Sequence, residues 1–117
     1  MLIADDRLEA AVWLHGEIKT PPFSRAARIE AGFLLRRIQL GEVIGLPTSR
    51  PMPTIGRNCH ELRIDDEDVT WRILYCLMTD AVVILEIFDE RTRTTPKHVI
   101  ATAKRRLRQY QRLTEKD

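Results

Sequence analysis

Apolar residues along this chain change their spacing repeatedly, and each change marks an element. Within Arg7–Gly16 the residues Leu8, Val12, Trp13 and Leu14 fall in a mixed spacing that reads as a strand. The segment Thr20–Ser24, TPPFS, then stops regular structure. Proline has no amide hydrogen and restricts the residue before it. From Arg25 to Leu40 the residues Ala27, Ala31, Leu34 and Ile38 recur at helical spacing with no proline, and Ser24 stands as the N-cap. Ile29 and Phe33 widen the apolar stripe, which predicts packing on more than one side of this helix. Gly41 supplies the left-handed residue that ends it. Gly41–Asn58 holds three prolines and three glycines and is expected to be neither helix nor sheet. Loops of that length in a small domain are functional or mobile.

Three strand-like runs follow. His60–Ile64 alternates Leu62 and Ile64 with Glu61 and Arg63. In Val69–Met78 one face carries Trp71, Ile73, Tyr75 and Leu77, and the other carries Thr70, Arg72, Leu74 and Cys76. Ala81–Phe88 is an apolar run, and the connections DDED and TD are short and polar, as in hairpin turns. An antiparallel meander is predicted. The last helix is expected to start at Thr95-Pro96, an N-cap with proline at the first helical position. Val99, Ala103, Leu107 and Tyr110 form its buried stripe, while Lys97, Lys104, Arg105, Arg108 and Arg112 lie mostly opposite. The fold class is therefore α+β: an antiparallel sheet of three to four strands packed with a helix from the N-terminal half and a basic C-terminal helix. Both helices are expected on one side of the sheet.

The length, 117 residues, fits a single domain over 1–117, with residues 1–6 a loose terminus. A chain of this size buries on the order of two thirds of its unfolded surface, enough for one core. No apolar run approaches the ~20 residues of a membrane span. The first ten residues lack the basic and apolar regions of a secretory signal. Cys59 and Cys76 are too few for a disulfide framework and lack the spacing of a zinc site. They are expected to be reduced thiols in a cytoplasmic protein that holds no metal and no cofactor.

Charge sharpens the picture. Residues 1–90 hold 10 Lys/Arg against 15 Asp/Glu, net −5, whereas residues 91–117 hold 9 against 2, net +7. Such asymmetry points to an anionic partner for the last quarter of the chain.

Four stretches together, PMPTIGRNCHELRI, TWRILYCL, VVILEIF and TPKHVIATAKRRLRQY, resemble the phage-derived HigB-like toxins of the RelE/ParE superfamily. The resemblance runs from about residue 28 to 112. The pattern is a Lys/Arg-Pro-Leu/Met loop, then E-L-R, then an aromatic-Arg-apolar-apolar-Tyr strand. An apolar strand ending in F-x-K-K-T, a T-P pair and a basic helix complete it. The resemblance implies a RelE-type fold, a cognate antitoxin as partner, and metal-independent cleavage of mRNA on the ribosome.

In metal-free RNA cleavage the RNA's own 2′-hydroxyl attacks the adjacent phosphate. The protein must neutralise added negative charge, take one proton and return another. Arginine suits phosphate because its guanidinium is a planar fork. The candidates are Arg63 of E-L-R, Arg72 of W-R-I-L-Y, Arg91 after Phe88, and His98 at the start of the last helix as a proton carrier. Arg72 opposes Trp71 and Tyr75 and is expected to point outward, within reach of a phosphate. Arg93, Lys97, Lys104 and Arg105 are candidate RNA contacts, and the first turn of the helix offers free amides to an anion. Tyr75 reads as a core tyrosine, His60 precedes E-L-R, and His15 has no chemical company.

The chain departs from F-x-K-K-T: it reads Phe88-Asp89-Glu90-Arg91-Thr92, so Glu90 stands where the first Lys is usual. Each unit charge at ~4 Å is worth roughly 1–4 kcal/mol between water-like and surface-like dielectric. Inverting one beside a phosphate would slow cleavage by orders of magnitude. Two alternatives to an active nuclease therefore stay open: a toxin-fold protein that binds RNA or the ribosome without cutting, and a protein-binding module directed at an antitoxin or a gyrase-like target.

Overall fold

A computed structural model describes residues 10–13, 22–79, 81–90 and 94–114, with 10–13 and 90 described through their backbone. In chain order the elements are β1 (Ala10–Trp13), α1 (Arg25–Gln39), β2 (Ser49–Pro51), β3 (Cys59–Asp65), β4 (Thr70–Leu77), β5 (Ala81–Glu90) and α2 (Lys97–Thr114). The expected loose terminus 1–6 lies outside the described residues. The strands form one sheet in the order β1-β5-β4-β3-β2. Strands β2 to β5 are antiparallel neighbours, which is the predicted α+β meander. β1 joins the far edge parallel to β5.

Two expectations are corrected. The segment Gly41–Asn58 is not all loop, because Ser49–Pro51 pairs with His60–Leu62 as an edge strand. Pro51 is tolerated there because an edge strand has one side without a ladder. The helices do not share a side of the sheet either. α1 sets Ala27, Ala31, Leu34 and Ile38 against Leu62, Ile64, Ile73, Tyr75, Val82 and Ile84 on one face. α2 sets Val99, Ala103, Leu107 and Tyr110 against Cys59, Leu74, Cys76, Val83 and Leu85 on the other. The reason is legible in β5: its run from Ala81 to Leu85 is apolar at every position, and all five residues are buried. A strand without alternation is covered on both faces.

α1 begins as expected, with the Ser24 hydroxyl accepting a hydrogen bond from the Ala27 amide at 3.1 Å. Gly41 follows its end at φ +92°. The predicted second packing side is absent, since Ile29 and Phe33 are 61% and 60% exposed. α2 starts at Lys97, and the Thr95 hydroxyl, expected to cap it, donates to the Glu61 carboxylate at 3.0 Å. Between β4 and β5 the register slips at Leu74/Tyr75, which pair with Glu86 and Ile84. Leu85 is the extra residue of a β-bulge, and its carbonyl turns out of the ladder. Arg106 of α2 meets that irregularity, donating from Nη1 to the Leu85 carbonyl at 2.8 Å and to Glu86 at 3.1 Å. Gly56 lies close to α2 where the loop passes over it: a Cβ there would stand 3.0 Å from the Leu107 side chain, which would have to shift.

Asp66 ties the start of α1 to the β3–β4 turn. Its carboxylate accepts from the Ser24 amide at 2.9 Å, the Glu67 amide at 2.8 Å and the Trp71 indole at 3.0 Å. These donors, Ser24 foremost, hold its pKa well below the usual carboxylate range. Its folded-state pKa is depressed, so its contribution is present above the unfolded value of about 3.9 and is lost as pH falls below it. Asp66→Asn, whose amide has one acceptor oxygen, is expected to lower the melting temperature at neutral pH. The gap from wild type should shrink towards about pH 2–3 in thermal melts. A gap that stays constant with pH would remove Asp66 from the acid response.

A candidate anion-binding face at the start of the last helix

Strand alternation puts Glu61 and Arg63 of β3, Arg72 of β4 and Phe88 of β5 on the face of the sheet that α2 covers. Register sets Arg63 opposite Arg72 and Arg72 opposite Phe88. Arg50 of β2 lies opposite Glu61. Here the apolar core of α2 has ended and its first turn has begun, so polar side chains close the layer.

Glu61 is the centre of this arrangement, at 2% exposure. Its Oε1 accepts from Arg72 Nη1 at 2.6 Å and from Arg50 Nε at 2.8 Å. Its Oε2 accepts a hydrogen bond from the Thr95 hydroxyl at 3.0 Å, and Thr95 Oγ1 accepts in turn from Arg50 Nη2 at 3.4 Å. Charge-assisted bonds of this length are among the stronger ones in proteins. A buried carboxylate is tolerated only with such partners. Two guanidiniums thus share one carboxylate oxygen. The start of α2 adds the positive end of a helix dipole beside it. Arg50 keeps a side chain 40% exposed at the solvent side of this corner.

Arg72 is not where the sequence placed it. It opposes Trp71 and Tyr75 as expected, but it is 7% exposed and held by Glu61 rather than directed at solvent. The face opposite Trp71 is itself covered, by α2 and the segment leading into it. Arg63 is exposed, with Asp65 3.8 Å from its guanidinium. Lys97 and His98 are exposed in the first turn of α2. Lys104 and Arg105 are exposed further along the same helix. Arg91 and Arg93 lie outside the described residues.

The acids of the departing segment separate. Phe88 lies on the α2 side, packed against that core. Asp89 therefore belongs to the opposite side, across from Trp71. Glu90 ends β5 opposite Thr70. Asp89 does not share the face of the Glu61 cluster, and the charge departure narrows to Glu90.

Sequence reasoning missed Glu61, Arg50 and Thr95 as one unit. Glu61 had a signal, since its alternation with Leu62 sends it to the face that β5 also requires to be buried. Arg50 had none, because nothing in its segment announces a strand. Tyr75 is the core tyrosine expected: its hydroxyl shares a 2.7 Å hydrogen bond with Ser49, and burial pushes its pKa up against the smaller opposite pull of that bond. His60 stacks on the Tyr75 ring, 5.3 Å between centroids, on the α1 side and away from the cluster. Burial lowers its pKa.

The model of the family described as phage-derived protein Gp49-like (DUF891) matches residues 22–108. The chain belongs to this family. No match was found among curated proteins. The matched span of this Gp49-like protein holds the whole Glu61 cluster, Arg63, Lys97, His98, Lys104 and Arg105. No helix among the described residues is long and apolar enough to cross a membrane.

Removing the acid would take the shared carboxylate away from the buried Arg72, from Arg50 and from Thr95. Glu61→Ala in the Gp49-like chain is expected to cost about 3–5 kcal/mol, read from urea unfolding. Arg63→Ala, which removes an exposed side chain, should stay within about 0.5 kcal/mol of wild type. Similar losses for the two variants would show that Glu61 does not organise this corner.

Proposed function

We propose that this Gp49-like protein is the toxin of a type II toxin–antitoxin pair. It is of the HigB-like kind within the RelE/ParE superfamily, and it is a metal-independent endoribonuclease acting on mRNA at the ribosome. A cognate antitoxin is its protein partner, and the cytoplasm its place of action. The observation that carries the reading is the convergence of Arg50, Arg63 and Arg72 from adjacent strands on the face where α2 begins. Family membership supports the toxin-like theme, and the sequence resemblance supplies the reaction.

The chemistry distributes as follows. The 2′-hydroxyl oxygen bonds to the neighbouring phosphorus, and the bond to the 5′-oxygen breaks. The products are a 2′,3′-cyclic phosphate and a 5′-hydroxyl end. One proton leaves the 2′-hydroxyl and one reaches the departing 5′-oxygen. Arg63 and Lys97, both exposed at this corner, meet the charge that builds on the phosphate, with Arg91 and Arg93 from the adjoining segment. Arg72 is a positioning residue: held by Glu61, it fixes the strand pair that presents Arg63. His98 carries the proton, and Lys104 and Arg105 extend the RNA contact along α2.

A second reading, binding of RNA or the ribosome without cutting, is favoured by Glu90 alone. The test is to induce the chain in bacterial cells and map mRNA 5′ ends. New ends inside translated codons are expected, falling about 100-fold or more in an Arg63→Ala/Lys97→Ala double variant that keeps the Glu61 cluster. Arg72→Ala is a poor control, because it breaks the fold at the same point. Soluble, folded protein without new ends would overturn the nuclease reading. If Glu90→Lys then produced them, binding without cutting would be the function of the natural chain.

A further inference from the structure

Five large apolar side chains stand in solvent on α1 or just beyond it: Ile29, Phe33, Leu40, Val43 and Leu46, the last two 90% and 76% exposed. On α2 the comparable exposure among the described residues is Leu113. The clustering is not random along α1. Ile29, Phe33 and Leu40 follow at intervals of four and seven, so they form one straight stripe on the helix surface. The buried residues Ala27, Ala31, Leu34 and Ile38 occupy the opposite side. α1 thus carries two apolar stripes back to back, and the protein's own core uses one of them. Exposed apolar surface organised in this way marks a place of association.

The stripe has a basic border. Arg25 lies one turn before Ile29, and Arg36 falls between Phe33 and Leu40 on the same side, both exposed. The Arg37 guanidinium lies 5.6 Å from the centre of the Phe33 ring and is bonded to Glu42 at 3.0 Å. α1 holds four arginines, at 25, 28, 36 and 37, against the single acid Glu30. A second copy of this chain on the stripe would set arginine against arginine. The border favours an occupant of the opposite sign.

We propose that the outer face of α1 docks an acidic amphipathic helix of a partner protein. Its apolar side chains cover Ile29, Phe33 and Leu40, and its carboxylates meet Arg25, Arg36 and Arg37. The docking mode is an amphipathic helix laid along an apolar strip, with the charges setting orientation and rejecting basic partners. This surface is on the other face of the sheet from the Glu61 cluster. It does not rest on the nuclease reading and holds equally for a protein that binds without cutting.

The experiment titrates the full chain into a dye-labelled synthetic peptide of about 20 residues, long enough to hold a helix on docking. The peptide carries leucines at helical spacing bordered by glutamates, and binding is followed by fluorescence anisotropy. Saturable binding is expected, weakened about tenfold or more by Phe33→Ser or Ile29→Ser and also by Arg36→Glu. A peptide with lysine in place of every glutamate should not bind. Arg108→Glu/Arg112→Glu, on α2, should leave binding unchanged. Circular dichroism of each variant checks the fold, and the two serine variants are independent of one another. The proposal is overturned if the acidic peptide shows no saturable binding, if the serine variants bind as wild type does, or if binding is lost in the α2 variant. It is equally overturned if light scattering shows a dimer of the chain that Phe33→Ser dissolves, because the occupant is then a second copy.

Discussion

A buried carboxylate sets the terms for one half of this molecule. Glu61 sits in the layer between the sheet and the start of α2, where an isolated charge would cost several kcal/mol. Three donors offset that cost: Arg72, Arg50 and the Thr95 hydroxyl. Each comes from a different segment, so satisfying one charge fixes the edge strand β2, the pair β3–β4 and the entry to α2 together. The bonds are directional in a way that apolar packing is not. They explain why a three-residue edge strand containing proline holds its place, and why the helix begins where it does.

The other polar tie of α2 works by the same logic further along. Arg106 is buried, and it is held by the bulge in β5, which releases the Leu85 carbonyl and brings Glu86 to the same side. α2 is therefore anchored at its entry through Thr95 and one helical stretch later through Arg106, with Val99 and Ala103 packed between. The contrast with α1 is instructive. That helix meets its face of the sheet through apolar contacts, with polar anchoring at its start, at Ser24 and Asp66.

Much of this was legible in the sequence, and the failures have physical causes. The period of two in Val69–Met78, the polar turns around it and the period of 3.6 in both helices gave the elements to within a few residues. Ser24 and Gly41 gave the ends of α1. What periodicity could not give was coverage. It stated correctly that Arg72 opposes Trp71, yet the inference that it faces solvent required that side of the sheet to be bare. The unalternating run at Ala81–Leu85 already argued otherwise, and with both faces covered an arginine in β4 needs a buried counter-ion, which Glu61 provides. The strand at Ser49–Pro51 was not legible, because its pairing is dictated by β3 and not by its own composition. Ile29 and Phe33 were read as widening the packed stripe, yet they lie across the helix from Ala27, Ala31, Leu34 and Ile38; the error lay in giving them a second packing side.

The layered arrangement also constrains how the two surfaces of the molecule can influence each other. From the outer side of α1 to the α2 side of the sheet there are two packing layers, each of roughly 10 Å. Direct Coulomb coupling over such a span is largely screened at the surface, where the Debye length is about 8 Å in physiological salt. Any coupling must therefore pass through packed side chains. One connected route exists: Ile38 and Leu34 pack in the same core as Tyr75, the Tyr75 hydroxyl holds Ser49, and Ser49 adjoins Arg50 in β2, whose guanidinium bonds Glu61. A shift of α1 on its face would press on Tyr75 and reach the Glu61 cluster through a single short strand. Arg50 is thus a cation on the α2 side whose position α1 can disturb.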